Sequence, residues 1–246
     1  MTDKTGKIKV LFASAEAAPF AKVGGLGDVA GALPASLLQN FPDDIDIRTI
    51  MPFHAVVKAK NPPNKKIGDF SFQANSQQLS CELFISVIDE VPVYLIDNPY
   101  INHDSPVYHG DWQLDGMKYA SFSLALLEAL RYLDWKIDIL HANDWHTALA
   151  VHALATTYKD DPFFAGIKTV LSVHNLPYNG WGSQDAMNLL GFTASTDPDL
   201  PDWAKFTPLP MGIASADRII AVSPGYSREI LAVVWKDISK NMLIRF

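Results

Sequence analysis

Lys22-Val23-Gly24-Gly25-Leu26-Gly27-Asp28 lies a few residues beyond a short apolar run, Ile8–Ala13, and opens onto a segment of helical pattern expected to begin near Val29. A buried strand, a glycine-rich loop and then a helix form the opening unit of a parallel α/β sheet. Glycines let backbone approach a ligand closely, and the first N–H groups of the following helix have no partner within it. With the charge of Lys22 beside them, these donors predict a place for an anion such as a phosphate or diphosphate. The same seven residues also fit a plain glycine-rich entry to a helix, and the loop alone does not choose between the two.

Outward from this loop the alternation continues. Val29, Leu33 and Leu37 recur at helical spacing, with Pro34 expected to kink or restart the helix, and residues 45–51 read as a second strand closed by Pro52. Residues 54–66 carry four lysines and two prolines and read as a solvated connection. Short β-like runs at 70–73, 81–88 and 91–96 predict an antiparallel or mixed insertion at the sheet edge. Residues 98–115 are rich in turn formers; a loop of that length suits a cover over a site, and it holds Tyr108, His109 and Asp111. Helices are expected at 116–133 and 145–158, and strands at 137–140, 169–173 and 218–222. The pattern predicts one large α/β domain whose ligands bind beyond the carboxyl ends of the strands, where Lys22, His141, Asp144 and His174 all fall.

Composition narrows the classes. A net charge of -7 argues against broad nucleic-acid or anionic-membrane binding, so any anion site must be local. Cys81 is the only cysteine, which excludes an intrachain disulfide and a cysteine-based zinc site, and it reads as a core or strand residue. No apolar run has membrane-spanning length and no signal-like segment precedes the first strand, so the expected location is the cytoplasm.

Two chemistries compete with a sugar or phosphate site. Gly25, Gly27 and Ala30 fit a variant of the dinucleotide fingerprint, yet there the glycines follow the strand directly and an acid ends the second strand. Here the loop is longer, and Asp44 and Asp46 lie at the start of the second strand, so nicotinamide binding is disfavoured. His141, Asp144 and His146 invite a metal, but His141 ends a strand while Asp144 suits the N-cap of the helix that holds His146. A cap or a polar ligand contact is preferred to a metal. Taken alone, His174 reads as a hydrogen-bonded core histidine. Tyr108 and the tryptophans at 112, 145, 181 and 203 fit either a core or sugar-stacking surfaces.

Taken together, the Lys22 to Val29 loop, Ser105-Pro106-Val107-Tyr108-His109, His141-Ala142-Asn143-Asp144-Trp145-His146, Val173-His174-Asn175-Leu176 and Ala221-Val222-Ser223-Pro224 resemble bacterial glycogen synthase and plant starch synthase, in order and spacing from about residue 8 to 230. The resemblance implies a Rossmann-like parallel-sheet domain, the N-terminal half of a two-domain GT-B-type glycosyltransferase. It implies retaining transfer of glucose from ADP-glucose, or UDP-glucose in some members, to the nonreducing end of an α-1,4-glucan, without a cofactor or metal. By position, Lys22 and the backbone of Gly24 and Gly25 belong to the donor and acceptor pocket, and Asp28 stabilises that loop or contacts ligand. Asp144 and His174 line the glucosyl pocket, Tyr108 stands on its wall, and His146 and Asn175 join the substrate-binding set. Lys22, Asp144 and His174 are the residues implied in catalysis. A noncatalytic glucan-binding module is the alternative.

Two stretches depart from the family pattern. Tyr178-Asn179-Gly180 replaces the usual Tyr-Gln-Gly, and residues 231–246 diverge where the family continues through a glycine-containing loop into its second domain. The expectation is a domain at 1–230, a divergent tail, an absent second domain, and therefore a chain that does not turn over alone.

Overall fold

The computed structural model describes residues 6–101 and 106–237, with side chains to residue 230. At its centre is β1 (Ile8–Ala13), flanked by β2 (Ile45–Pro52) and β6 (Ile139–Asn143), both parallel to it. The parallel sheet continues on one side through β5 (Val91–Asp97) and on the other through β7 (Lys168–Val173) and β8 (Arg218–Ala221). β3 (Lys65–Ala74) and β4 (Gln77–Ile88) add an antiparallel edge, giving the order β3-β4-β5-β2-β1-β6-β7-β8. The chain builds one way from β1 to β2 and the other way through β6 to β8. That reversal opens a crevice at the carboxyl ends of β1 and β6, the usual ligand position in such sheets.

The central strands are apolar on both faces because helices cover both. Leu11 and Ala13 pack in one layer with α3 (Trp112–Tyr132) and α4 (Trp145–Ala155), while Val10 and Phe12 pack in the other with α1 (Gly25–Asn40) and α2 (Ala55–Lys60). Period-two alternation thus sorts side chains between two cores instead of between core and water. Fully buried Leu11 anchors the first of them, where Leu→Ala costs about 2–5 kcal/mol. Three further helices, α5 (Gln184–Leu189), α6 (Pro208–Ser215) and α7 (Pro224–Asp237), follow among the described residues. None of the described helices is long and apolar enough to cross a membrane.

The α/β class and the antiparallel edge match expectation, whereas several boundaries do not. α1 begins at Gly25, four residues ahead of Val29, so Gly25 and Gly27 lie inside its first turn and Gly24 stands at its N-cap. Tertiary contact overrides their poor helix propensity: the carbonyl of Gly27 accepts from Ala18 N–H at 2.9 Å, and a Cβ at Gly27 would stand 3.1 Å from both Glu16 Oε2 and Lys22 Cα. Pro34 neither ends nor restarts α1; it is buried within the helix, where packing offsets the one backbone bond it cannot make. Residues 54–66 include α2, missed because its lysines read as solvated. Lys58 Nζ bonds Asp97 Oδ2 at 2.6 Å and the carbonyl of Ile101 at 3.1 Å, and Lys60 Nζ bonds the carbonyls of Pro19 and Phe20.

At the other boundaries, α3 starts at Trp112 because Asp111 Oδ1 caps it, accepting from the N–H groups of Gln113 and Leu114. α4 stops at Ala155, short of Tyr158. α7 runs without a break across the boundary drawn between residues 230 and 231; residues 238–246 of the expected tail lie outside the described residues, as does Ser105. Cys81 sits buried in β4, where burial and neighbouring Asp97 push its thiol up to about 12.

Candidate active site

A cavity of about 590 Å³ occupies the crevice. Its walls come from the loops after β1, β5, β6, β7 and β8, and they include Gly24, Gly25, Tyr108, Asp144, His146, His174 and Asn175. Lys22 and Asp28 are not in the wall. They pair with each other, Lys22 Nζ 2.7 Å from Asp28 Oδ1, with both side chains more than half exposed. The chain neighbour Val23 lines the cavity, which sets Lys22 at its rim.

Glu16 is the wall residue that sequence reasoning passed over. The residue is 2% exposed; Oε2 accepts from the N–H groups of Val23 and of Gly24 (3.3 Å), and Oε1 accepts from the Tyr108 hydroxyl at 3.1 Å. The N–H groups of Val23 and Gly24, just ahead of α1, are therefore held by a carboxylate of the same loop, which leaves the first donors of the helix itself outside this clamp. An acid eight residues before the first loop glycine was the available signal, but its second partner is 92 residues further on.

At the exits of β6 and β7 a second carboxylate does similar work. Asp144 Oδ1 accepts from the N–H groups of His174 (2.7 Å) and Asn175 (3.2 Å). It makes no side-chain cap to its own helix, correcting the N-cap expectation, because its backbone stands at φ 55°, ψ -173°, and its carboxylate bonds the loop that leaves the neighbouring strand β7. That conformation is almost confined to glycine and costs on the order of 1–3 kcal/mol. Burial raises the Asp144 carboxyl to about 6, against the lowering by the two N–H groups and with a further rise from Glu16.

The imidazoles are neutral by burial. His146 packs against Trp145, Tyr119 and Tyr108 at centroid distances of 4.5, 4.5 and 5.0 Å, and its basicity falls well below the ordinary histidine range. His141 is lowered to about 4 by burial and by His174, and its Nε2 meets Ser172 Oγ at 2.8 Å. His174 is lowered in the same way, with Glu16 opposing. Below the Tyr108 loop, fully buried Lys118 donates to the carbonyls of Pro106 (2.9 Å) and Val107 (2.7 Å) and pairs with Asp115 at 3.0 Å, holding the aromatic wall in place. Trp145 is buried and Trp112 half-exposed in the wall, whereas Trp181 and Trp203 are exposed outside it. His141, Asp144 and His146 each face different partners, and among the described residues no three His, Cys, Asp or Glu side chains group as metal ligands.

Carboxylates, aromatic faces and neutral imidazoles gather in one pocket at the carboxyl edge of a doubly wound sheet, which defines an α/β domain with its cavity at the usual ligand position. The family model for the starch synthase catalytic domain matches residues 9–237. The chain is 37% identical over 228 residues to a glycogen synthase of Clostridium perfringens and 36% identical over 233 residues to one of Streptococcus pneumoniae, covering 91% of this chain in each case. It spans about half the length of these relatives, 46% and 47%. Its fold superposes on the catalytic domain of starch synthase IV from Arabidopsis thaliana bound to ADP and acarbose, with a TM-score of 0.76, 22% identity, and coverage of 93% of this chain and 49% of that one. The chain belongs to the starch synthase catalytic domain family.

Proposed function

We propose that this chain forms the sugar-side half of a retaining glucosyltransferase of the glycogen and starch synthase type. The reaction moves glucose from ADP-glucose, or UDP-glucose, to the nonreducing end of an α-1,4-glucan. What supports this reading is the convergence of Asp144, His174, Tyr108 and the Gly24-Gly25 backbone on one cavity. Carboxylate and imidazole lone pairs accept sugar hydroxyls, and aromatic faces take the apolar faces of the ring. Asp144 and His174 are proposed to contact the transferring glucosyl unit, with His146, Asn175 and Tyr108 shaping its pocket.

Among the described residues, the wall holds Glu16, Asp115 and Asp144 but neither lysine nor arginine. A leaving diphosphate draws its neutralising charge from Lys22 at the rim and from the second domain that the family fold implies. The Lys22–Asp28 pair is exposed, and such pairs hold about 0–1 kcal/mol, so Lys22 can turn to a ligand at little cost. A net charge of -7 and a single buried thiol fit a cytoplasmic protein without nucleic-acid or membrane partners.

The acidic and aromatic lining of the described wall also suits a second reading, a noncatalytic glucan-binding module. Glycogen co-sedimentation of the 246-residue chain, with and without ADP-glucose, separates the two, since a pure module ignores the nucleotide sugar. Alone, the chain is expected to incorporate no glucose from ADP-glucose into glycogen; robust incorporation would refute that. Fused to the second half of a relative, it is expected to transfer, and a folded fusion inert toward both nucleotide sugars would sink the synthase reading.

A further inference from the structure

Asn143, which no wall of the cavity includes, uses every polar group it has. Its side chain is buried, with 1% of the residue exposed, and Nδ2 donates to the carbonyl of Ala13 at the end of β1, 3.0 Å away. A carbonyl only accepts, so this contact decides which way the carboxamide faces. Oδ1 is thereby turned to His174, 3.0 Å from Nε2. The backbone is pinned as well: Asn143 N–H donates to Thr147 Oγ1 at 2.6 Å, and the Thr147 hydroxyl donates to the Asn143 carbonyl at 2.9 Å.

We propose that Asn143 is a positioning residue that holds the His174 proton on Nε2 and leaves the lone pair on Nδ1, so that the ring meets a sugar hydroxyl as a hydrogen-bond acceptor. An amide oxygen can only accept, so the nitrogen facing it must carry hydrogen, and in a neutral imidazole the other nitrogen is then the acceptor. Among the described residues Nδ1 of His174 bonds no protein group and is not buried from solvent, while the ring lines the cavity. Asp144 fixes the same residue from the other end through the His174 N–H. The ring therefore has its tautomer and its orientation set before ligand arrives. Burial of His174 acts in the same direction, keeping the ring neutral near pH 7. The acceptor role rests on the sugar reading of the cavity, whereas the tautomer does not.

Long-range proton–nitrogen NMR of the 15N-labelled chain near pH 7.5 tests the tautomer without ligand, with His174→Gln identifying the signals. The expected result is a protonated, pyrrole-type Nε2 and a bare, pyridine-type Nδ1; the reverse assignment, or an imidazolium, overturns the proposal. In Asn143→Ala the two tautomers are expected to mix, a change that mere loosening of the fold does not produce. If that variant does not fold, the wild-type spectrum still decides. Titration with maltoheptaose, and separately ADP-glucose, is expected to shift Nδ1 of the wild type, and Asn143→Ala is expected to bind about tenfold more weakly, as for one lost hydrogen bond. Binding that leaves Nδ1 unmoved overturns the acceptor role. No binding of either ligand sinks the sugar reading and the acceptor role with it, while the free-chain tautomer still decides the part of Asn143.

Discussion

Two loops leave the carboxyl edge of the sheet, and in each a carboxylate grips two consecutive backbone N–H groups. After β1, Glu16 holds Val23 and Gly24 from within the same loop; after β7, Asp144 reaches across from β6 to hold His174 and Asn175, 30 and 31 residues on. Glu16 commits its second oxygen to Tyr108, whereas hydrogen bonds to Asp144 fall on Oδ1 alone among the described residues. Asp144 also accepts a strained backbone and a carboxyl raised to about 6. The first clamp is a structural part of the wall. The second keeps an oxygen available inside the cavity and pays for it in stability, as expected of a group that meets ligand.

The sharpest way to break this contrast is Glu16→Ala. It strands two N–H groups and the Tyr108 hydroxyl in a part-buried setting, so urea unfolding is expected to show a loss of about 2–3 kcal/mol. A loss no larger than that of an exposed substitution would remove the structural role. Next comes Gly31→Ala, whose Cβ would lie 2.4 Å from the carbonyl oxygen of Ala18 and is expected to cost about 1–3 kcal/mol. Gly25→Ala is its control: nothing stands within 4 Å of the added carbon, so the melting temperature should hold while glycogen retention falls, because Gly25 lines the cavity.

Asp144→Asn carries an effect that appears only as pH changes. A carboxyl raised from 3.8 to about 6 binds its proton more readily in the folded state, so Asp144 adds stability as pH falls through that window and loses it as pH rises. Buried His54 and His141, lowered to about 3 and about 4, act oppositely and lose stability as pH falls below about 6.5. Removing the Asp144 contribution should therefore steepen acid destabilisation by about 1–3 kcal/mol between pH 6 and 4, read from urea midpoints. Parallel profiles for the two proteins would show that Asp144 does not titrate there. Lys22→Ala should move stability least, by under about 0.5 kcal/mol, yet in a two-domain synthase it should cut glucose transfer far more than it shifts melting. Equal losses would remove Lys22 from the chemistry.

The contrast also explains what could be read in the chain. β1 and the other central strands are legible because burial on both faces leaves continuous apolar runs, and the residues at their ends stand out as polar. The cavity residues after β6 and β7 could be named for that reason. Glu16 could not, since nothing periodic marks it and its effect depends on Tyr108 meeting it in space. α2 was hidden by lysines that bond carbonyls instead of water, and α5 and α6 are too short, α6 with two prolines, for a helical period to show. The cap expected of Asp144 failed because short-range propensity lost to a long-range bond.

The antiparallel edge carries the chain's single thiol, sealed in β4 between β3 and β5. A disulfide reagent in solution can react with it only when that margin of the sheet opens. Labelling kinetics at Cys81 therefore offer a built-in clock for local breathing at a residue that does not line the cavity, readable without introducing any probe into the molecule.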